Sequence, residues 1–209
     1  MPLVKRYIFK ICTHTIKCKK YIQNRKNTGY GAAHNIALKR SIGQAEYHLV
    51  FNPDVFWDQG TIENMYKFMQ KNTDVGQLMP RVLYPDGELQ YLCKLLPTPA
   101  DLLLRRFMPQ IDYFKKQNEK FELRFTGYDK IMNIPYLSGC FMFFRTAALQ
   151  KIGLFDERFF LYPEDIDLTR RMHKYYRTLY YPQVSVYHDH AKESYASKKM
   201  LWIHIRNMF

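Results

Sequence analysis

A chain of 209 residues with 47% hydrophobic and 16% aromatic residues is long and apolar enough for one domain with a real core, which excludes global disorder. Its 32 basic and 19 acidic residues leave a formal charge of +13, a field that favours phosphates: nucleic acid, anionic lipid or a nucleotide diphosphate. The longest apolar run, around 140–144, is far too short to cross a bilayer. The N-terminus, interrupted by Lys10, Thr13 and His14, makes a poor signal peptide.

The charge is uneven, with no acidic residue before Glu46. Cys12, Cys18, Cys93 and Cys140 follow no disulfide or zinc-ribbon spacing, and Cys12, His14 and Cys18 lack a fourth ligand for zinc. Reduced, partly buried thiols fit better, as in a cytosolic compartment.

Residues 7–12 and 18–22 read as short β-prone segments broken by charge. In "NTGYGAAHNIALKR" (27–40), Gly29 and Gly31 permit a tight turn, and the alanines and aliphatics after it predict a helix. "AEYHLVFNPDV" (45–55) predicts a strand from Tyr47 to Phe51, stopped at Asn52-Pro53. Ile62, Met65, Tyr66 and Met69 recur at helical spacing, with Thr61 as a cap. "VGQLMPRVLYPDG" gives a strand and a turn at Pro85-Asp86-Gly87. The stretch 96–130, with Pro97, Pro99, Pro109 and the pair Arg105-Arg106, reads as a long connection with one short helix. Residues 136–153 return to strand and then helix from Thr146, stopped by Gly153. A helix starts within 159–172, a late strand within 178–190 ends in histidines, and 191–209 reads as a basic amphipathic helix carrying Trp202, Ile205 and Met208. Alternating strands and helices predict an α/β sheet with helices on its faces, with functional residues after Phe51, Phe144 and Val186.

Candidate chemistry falls at these element ends. Asp54 follows an apolar strand on a proline-fixed turn, where a carboxylate can bind Mg2+ or Mn2+; an ordinary Asx-Pro turn explains the same residues. The glycines of "NTGYGAAHN" let backbone approach a ligand, although the spacing is not the dinucleotide fingerprint and Asn35 can equally hold the turn. In "FFLYPEDIDLTRRM", Glu164, Asp165 and Asp167 crowd the start of a helix. One acid there offsets the dipole; three repel one another unless a cation, donor or proton relieves them. Such crowding can hold one carboxylate as a base without saying which. His188 and His190 share one side of an extended chain, and either can join Asp54 around a divalent ion.

From about Tyr21 to Asn207, "NTGYGAAHNIAL", "YHLVFNPDV", "YLSGCFMFFRTAALQKIGLFDERFFLYPEDIDLTRRM" and "YPQVSVYHDH" resemble, in order and separation, the family 2 glycosyltransferases of GT-A fold, particularly the bacterial rhamnosyltransferase-like branch. The resemblance implies a Rossmann-like mixed α/β sheet with flanking helices. It further implies inverting, metal-dependent transfer of a sugar, rhamnose from a dTDP donor first, to a cell-surface polysaccharide or lipid-linked glycan. By the same resemblance Asp54 and His188 hold Mg2+ or Mn2+, and Asp165 is the base with Glu164 adjacent. Asn27, Gly29, Tyr30, Gly31, Asn35 and Asn52 then belong to the donor side, while Ser138 and Gly139 line the sugar pocket. The expected location is cytoplasmic and peripheral, at the inner face of the plasma membrane, where basic termini meet anionic lipid.

One departure counts against activity. Members of the family open with a strand, a helix and a second strand ending in "D-N-x-S", and residues 1–20 do not resemble that opening. The expectation is therefore a single, N-terminally truncated GT-A domain over 1–209. A catalytically inactive remnant with a binding role is the alternative. A basic nucleic-acid-binding module is a third reading, but no reader helix accompanies the charge, so no specific nucleic-acid partner is expected.

Overall fold

The computed structural model describes residues 22–24, 26–97, 112–161 and 163–189. In chain order the elements are α1 (Tyr30–Ser41), β1 (Tyr47–Phe51), β2 (Val55–Trp57), α2 (Thr61–Lys71), β3 (Val75–Leu83), β4 (Cys93–Lys94) and α3 (Asp112–Phe121). They continue with a 3-10 turn at Arg124–Thr126, then β5 (Met132–Asn133), β6 (Tyr136–Leu137), β7 (Phe141–Arg145), α4 (Thr146–Ile152), α5 (Glu164–His173) and β8 (Arg177–His188). The expectations over 7–12, most of 18–22, and 191–209, with Cys12, His14, Cys18, Arg105-Arg106 and His190, lie outside the described residues.

The apolar run becomes β7 because it is covered on both faces. Phe141 and Phe143 enter one core with Met65 and Met69 of α2 and Leu78, Met79 and Val82 of β3. Met142 and Phe144 enter the other, with Leu38 of α1, Ala148 and Leu149 of α4, and Leu168 and Met172 of α5. Alternate residues of a strand point to opposite faces, so continuous hydrophobicity there means helices on both sides.

The main sheet runs β1-β7-β3-β8-β2, with β5 also on β8; β4 and β6 form a separate two-stranded ribbon. β3 and β8 are parallel, while β7 is antiparallel to both β1 and β3. β1 and β2 thus end the strand order at opposite ends, although only Asn52 to Asp54 lie between them. Four inter-strand steps of about 4.8 Å would separate them by roughly 19 Å in a flat sheet, while a β-turn brings its ends within about 7 Å. The sheet therefore curls. β3 meets β7 through Gln77 and Leu78 but meets the end of β8 through Arg81 to Leu83, with a register shift between Pro80 and Arg81 where the ladder bends.

Two local expectations are corrected. Gly29 precedes α1 at φ 90, but Gly31 lies inside the helix; its lack of a side chain instead admits Phe155, whose Cβ would stand 2.8 Å from an added one. Thr61 is the first residue of α2 and not its cap, a place taken by Gly60 in the left-handed region. Between Asp54 and α2 the sequence marked no element, and there β2 pairs with β8. Among the described residues no helix is long and apolar enough to cross a membrane.

Candidate functional site

The turn between β1 and β2 is built by Pro53. Val55 N–H donates to the Asn52 carbonyl at 3.1 Å, closing a β-turn with proline at its second position. Asp54 follows, and its carbonyl accepts from Asp189 N–H at 3.0 Å, which pins the turn to the end of β8. There His188 is buried, with Nε2 at 3.4 Å from Asp54 Oδ1 and at 3.4 Å from Asn52 Nδ2. Asp54 Oδ1 is itself buried without a hydrogen-bond donor. On the other side of the ring, His188 Nδ1 meets Gln90 Oε1 at 3.0 Å.

Asp165 occupies the first turn of α5. Its Oδ2 accepts from Gly139 N–H at 2.9 Å and from the Tyr136 hydroxyl at 3.4 Å, and its Oδ1 accepts from Ile166 N–H at 2.8 Å. Burial raises the Asp165 carboxyl above its ordinary value, and the Gly139 amide, the Lys94 ammonium and the Ile166 amide oppose that rise. Lys94 stands opposite Tyr136 in the β4–β6 ribbon, its Nζ 5.5 Å from the centre of that ring. Burial, with the Asp165 and Glu164 charges adding to it, holds the Tyr136 phenol well above its usual range.

The crowding of three acids resolves into three environments. Asp167 is taken by Arg171, one helical turn on, at 2.7 Å, with Arg170 at 3.7 Å. Glu164 is buried beneath α1, its Cβ 3.7 Å from where a side chain on Gly31 would stand. Asp165 is held by the backbone amides of Gly139 and Ile166 and is half-buried.

These groups form one continuous site. Gly139 N–H holds Asp165, and Gly139 C=O accepts from the Tyr30 hydroxyl at 2.5 Å. The next carbonyl, of Cys140, accepts from Asn52 N–H at 2.9 Å, and Asn52 leads to Asp54 and so to His188. A cleft of about 490 Å3 opens here, lined by Tyr30, His34, Phe51, Asn52, Pro53 and Asp54. His34 packs against Tyr30 at 4.5 Å between ring centres, and burial, with His48 adding, lowers its pKa to about 4. Its ring is therefore uncharged near neutral pH.

Two expected donor-side residues do other work. Asn35 is buried with its amide spent: Nδ2 donates to Phe155 C=O and Glu157 Oε1, both at 2.9 Å, and Oδ1 accepts from Phe155 N–H. It fastens the 155–157 segment to α1, with both of its amide protons spent there. Asn27 Oδ1 accepts from Gly29 N–H at 3.1 Å and shapes the turn into α1. Ser138 is half-buried, with its hydroxyl 3.5 Å from Cys140 N–H. Gln90 and Lys94 went unmarked in the sequence, each a lone polar residue in no motif, while His34 and Tyr136 stand inside two of the motifs without being singled out there. Among the described residues no three histidine, cysteine or acidic side chains gather closely enough to hold a metal by themselves.

A mixed sheet with helices on both faces and polar groups at its strand ends is the GT-A architecture. The chain belongs to glycosyl transferase family 2, whose family model matches residues 6–153. That match ends before α5 and β8, which carry Asp165 and His188. The chain is 28% identical over 179 residues to the N-acetylglucosaminyl-diphospho-decaprenol L-rhamnosyltransferase of Mycobacterium tuberculosis, covering 79% of this chain and 57% of that protein. It is 26% identical to the low-salt glycan biosynthesis hexosyltransferase Agl10 of Haloferax volcanii, covering 72% of this chain and 45% of that one. The chain thus spans about half the length of these curated relatives. Among solved structures, GalNAc-T7 with UDP, GalNAc and Mn2+ matches with a TM-score of 0.55 at 12% identity, over 81% of this chain and 31% of that one. The mannosyltransferase PcManGT of Pyrobaculum calidifontis, in complex with GDP-Man and Mn2+, matches with 0.50 at 18% identity, over 83% and 40%.

Proposed function

We propose that this chain carries the acceptor base and the cation-side residues of an inverting sugar transferase. The donor is a nucleotide-diphospho-sugar, dTDP-rhamnose first, and the acceptor is a cell-surface polysaccharide precursor or a lipid-linked glycan. The single observation behind this reading is that one dipeptide, Gly139-Cys140, joins the amide that holds Asp165 to the turn that carries Asp54. The rhamnosyltransferase relative, whose name specifies a sugar on a lipid diphosphate, supports the choice of donor and acceptor class. The excess of basic residues before Glu46 suits peripheral residence at an anionic membrane, on its cytoplasmic side.

Asp54 and His188 fit a divalent ion. Their facing atoms are an oxygen and an imidazole nitrogen 3.4 Å apart, and the oxygen is buried without a donor. Two ligands each about 2.1 Å from one ion stand roughly 3.0–3.4 Å apart. Mg2+ or Mn2+ held there supplies positive charge for the diphosphate as its bond to the sugar breaks. Asp165 takes the proton from the acceptor hydroxyl while that oxygen attacks the anomeric carbon, and the diphosphate leaves with the bonding pair. The raised pKa of its buried carboxyl makes it a stronger base than an exposed aspartate, and the Lys94 charge opposes that rise. Asn52 and Tyr30 line the donor's cleft, and the missing side chain of Gly139 lets Asp165 pack against its backbone.

Calorimetric titration of the chain with dTDP-L-rhamnose and Mn2+ tests the reading. Binding is expected only with the metal and is lost in Asp54→Asn. Asp165→Asn keeps donor binding but loses about 10²–10⁴-fold in acceptor-dependent turnover. Metal-independent binding, or retained anomeric configuration in the product, overturns the assignment.

A further inference from the structure

We propose that Gln90 is a positioning residue that holds His188 in its Nδ1–H tautomer and thereby turns the Nε2 lone pair toward Asp54. The consequence for the metal rests on the function proposed above; the tautomer does not.

The derivation starts from the Gln90 amide. Its nitrogen donates to the carbonyl of His188 at 2.7 Å and to the carbonyl of Leu83 at 3.3 Å. Carbonyl oxygens only accept, so the amide nitrogen must face them, and a flipped amide would set three oxygens against one another. Gln90 Oε1 is therefore the atom 3.0 Å from His188 Nδ1, and that ring nitrogen must carry the proton. In a neutral ring this leaves Nε2 as the acceptor. Nε2 lies 3.4 Å from Asn52 Nδ2, which can donate to it, and 3.4 Å from Asp54 Oδ1, which cannot. Two electron-rich atoms facing each other repel unless a cation lies between them.

The glutamine is well placed to enforce this. It is 4% exposed, and its own N–H donates to Val82 C=O at 2.9 Å. The turn at Pro85 to Gly87 returns the chain alongside β3, so backbone and side chain of residue 90 are both anchored. Gln90 also grips the backbone of His188, so that one side chain fixes both the position and the protonated face of the imidazole. A ligating histidine whose other nitrogen has a fixed acceptor pays less to orient, and loss of such partners weakens metal binding about 10–100-fold.

The test uses nitrogen-15 NMR of the His188 ring in the full chain, assigned by its loss in His188→Gln, together with Mn2+ alone titrated by electron paramagnetic resonance. The wild type is expected to show protonated Nδ1 and unprotonated Nε2. Gln90→Met is expected to mix the two tautomers and to weaken Mn2+ binding 10–100-fold. A wild-type ring protonated on Nε2 overturns the proposal even if no variant folds. An unchanged tautomer in folded Gln90→Met overturns it too, whereas an altered tautomer with unaltered Mn2+ affinity supports Gln90's hold on the ring and overturns its consequence for the metal. Absence of Mn2+ binding by a wild-type chain with protonated Nδ1 supports Gln90's hold on the ring and sinks the metal reading alone.

Discussion

Replacing Gly139 by alanine tests how closely Asp165, the proposed base, is held. An added Cβ would lie 3.1 Å from Asp165 Cβ and 3.4 Å from its Oδ2. Carbon atoms rest at about 3.5–4.0 Å, so the two residues must part by roughly 0.4–0.9 Å. The same glycine donates the 2.9 Å hydrogen bond to that carboxylate, so the displacement stretches the bond that fixes it. Gly139 is not among the positive-φ glycines, and alanine brings crowding there without left-handed strain. Overpacking of this kind costs about 1–3 kcal/mol in stability. A misplacement approaching 1 Å costs on the order of 10²-fold in rate, so kcat is expected to fall 10–100-fold with KM for the donor little changed. Weakening the amide's hold also removes a brake on the raised carboxyl pKa, so the acidic limb of the rate profile moves to higher pH. The assay is acceptor-dependent release of dTDP across pH, with urea denaturation alongside. A folded Gly139→Ala chain with wild-type kcat refutes the reasoning.

Lys94→Met is expected to shift the acidic limb in the same direction, because the ammonium opposes the burial-driven rise of Asp165; Lys94→Arg is expected to keep it in place. His34 makes the fold acid-sensitive. Its ring drops from 6.5 to about 4 on folding, so below pH 6.5 the unfolded chain takes up a proton that the folded ring refuses. Stability is therefore present above pH 6.5 and lost as pH falls toward 4, by about 1–3 kcal/mol, and His34→Gln should flatten that slope in denaturation at stepped pH. Arg145 donates to the carbonyls of Met69, Asn72 and Val75 at 2.7–3.0 Å, closing the end of α2. Arg145→Met should cost about 2–4 kcal/mol, read from the urea midpoint.

Much of the main sheet was legible because its strands are long and apolar. Val75–Leu83 and Phe141–Arg145 gather runs of buried side chains, and Tyr47–Phe51, where Val50 alone is fully buried, marks itself by its β-prone and aromatic residues. β2, β4, β5 and β6 span two or three residues, too few for any period to register, and exist only through partners far along the chain. The acids of α5 show a signal that was present and unused. Asp167 and Arg171 stand four residues apart on a helix, the spacing of a pair, which removes Asp167 from the candidate bases. Gln90 could not have been found this way. Its partner His188 is 98 residues distant, and no local pattern records such a meeting. Asn35 misled for the opposite reason: it sits in a motif, yet its amide is consumed by the segment that follows α4.

Gly139 and Cys140 act as a covalent ruler. The amide of the first holds Asp165 and the carbonyl of the second holds the strand-end turn, so only the backbone torsions of these two residues separate the two halves. Substitutions elsewhere can loosen helices or thin the hydrophobic layers while that spacing survives. A single residue inserted between positions 139 and 140 would leave every other contact intact in principle and still pull the two halves out of step.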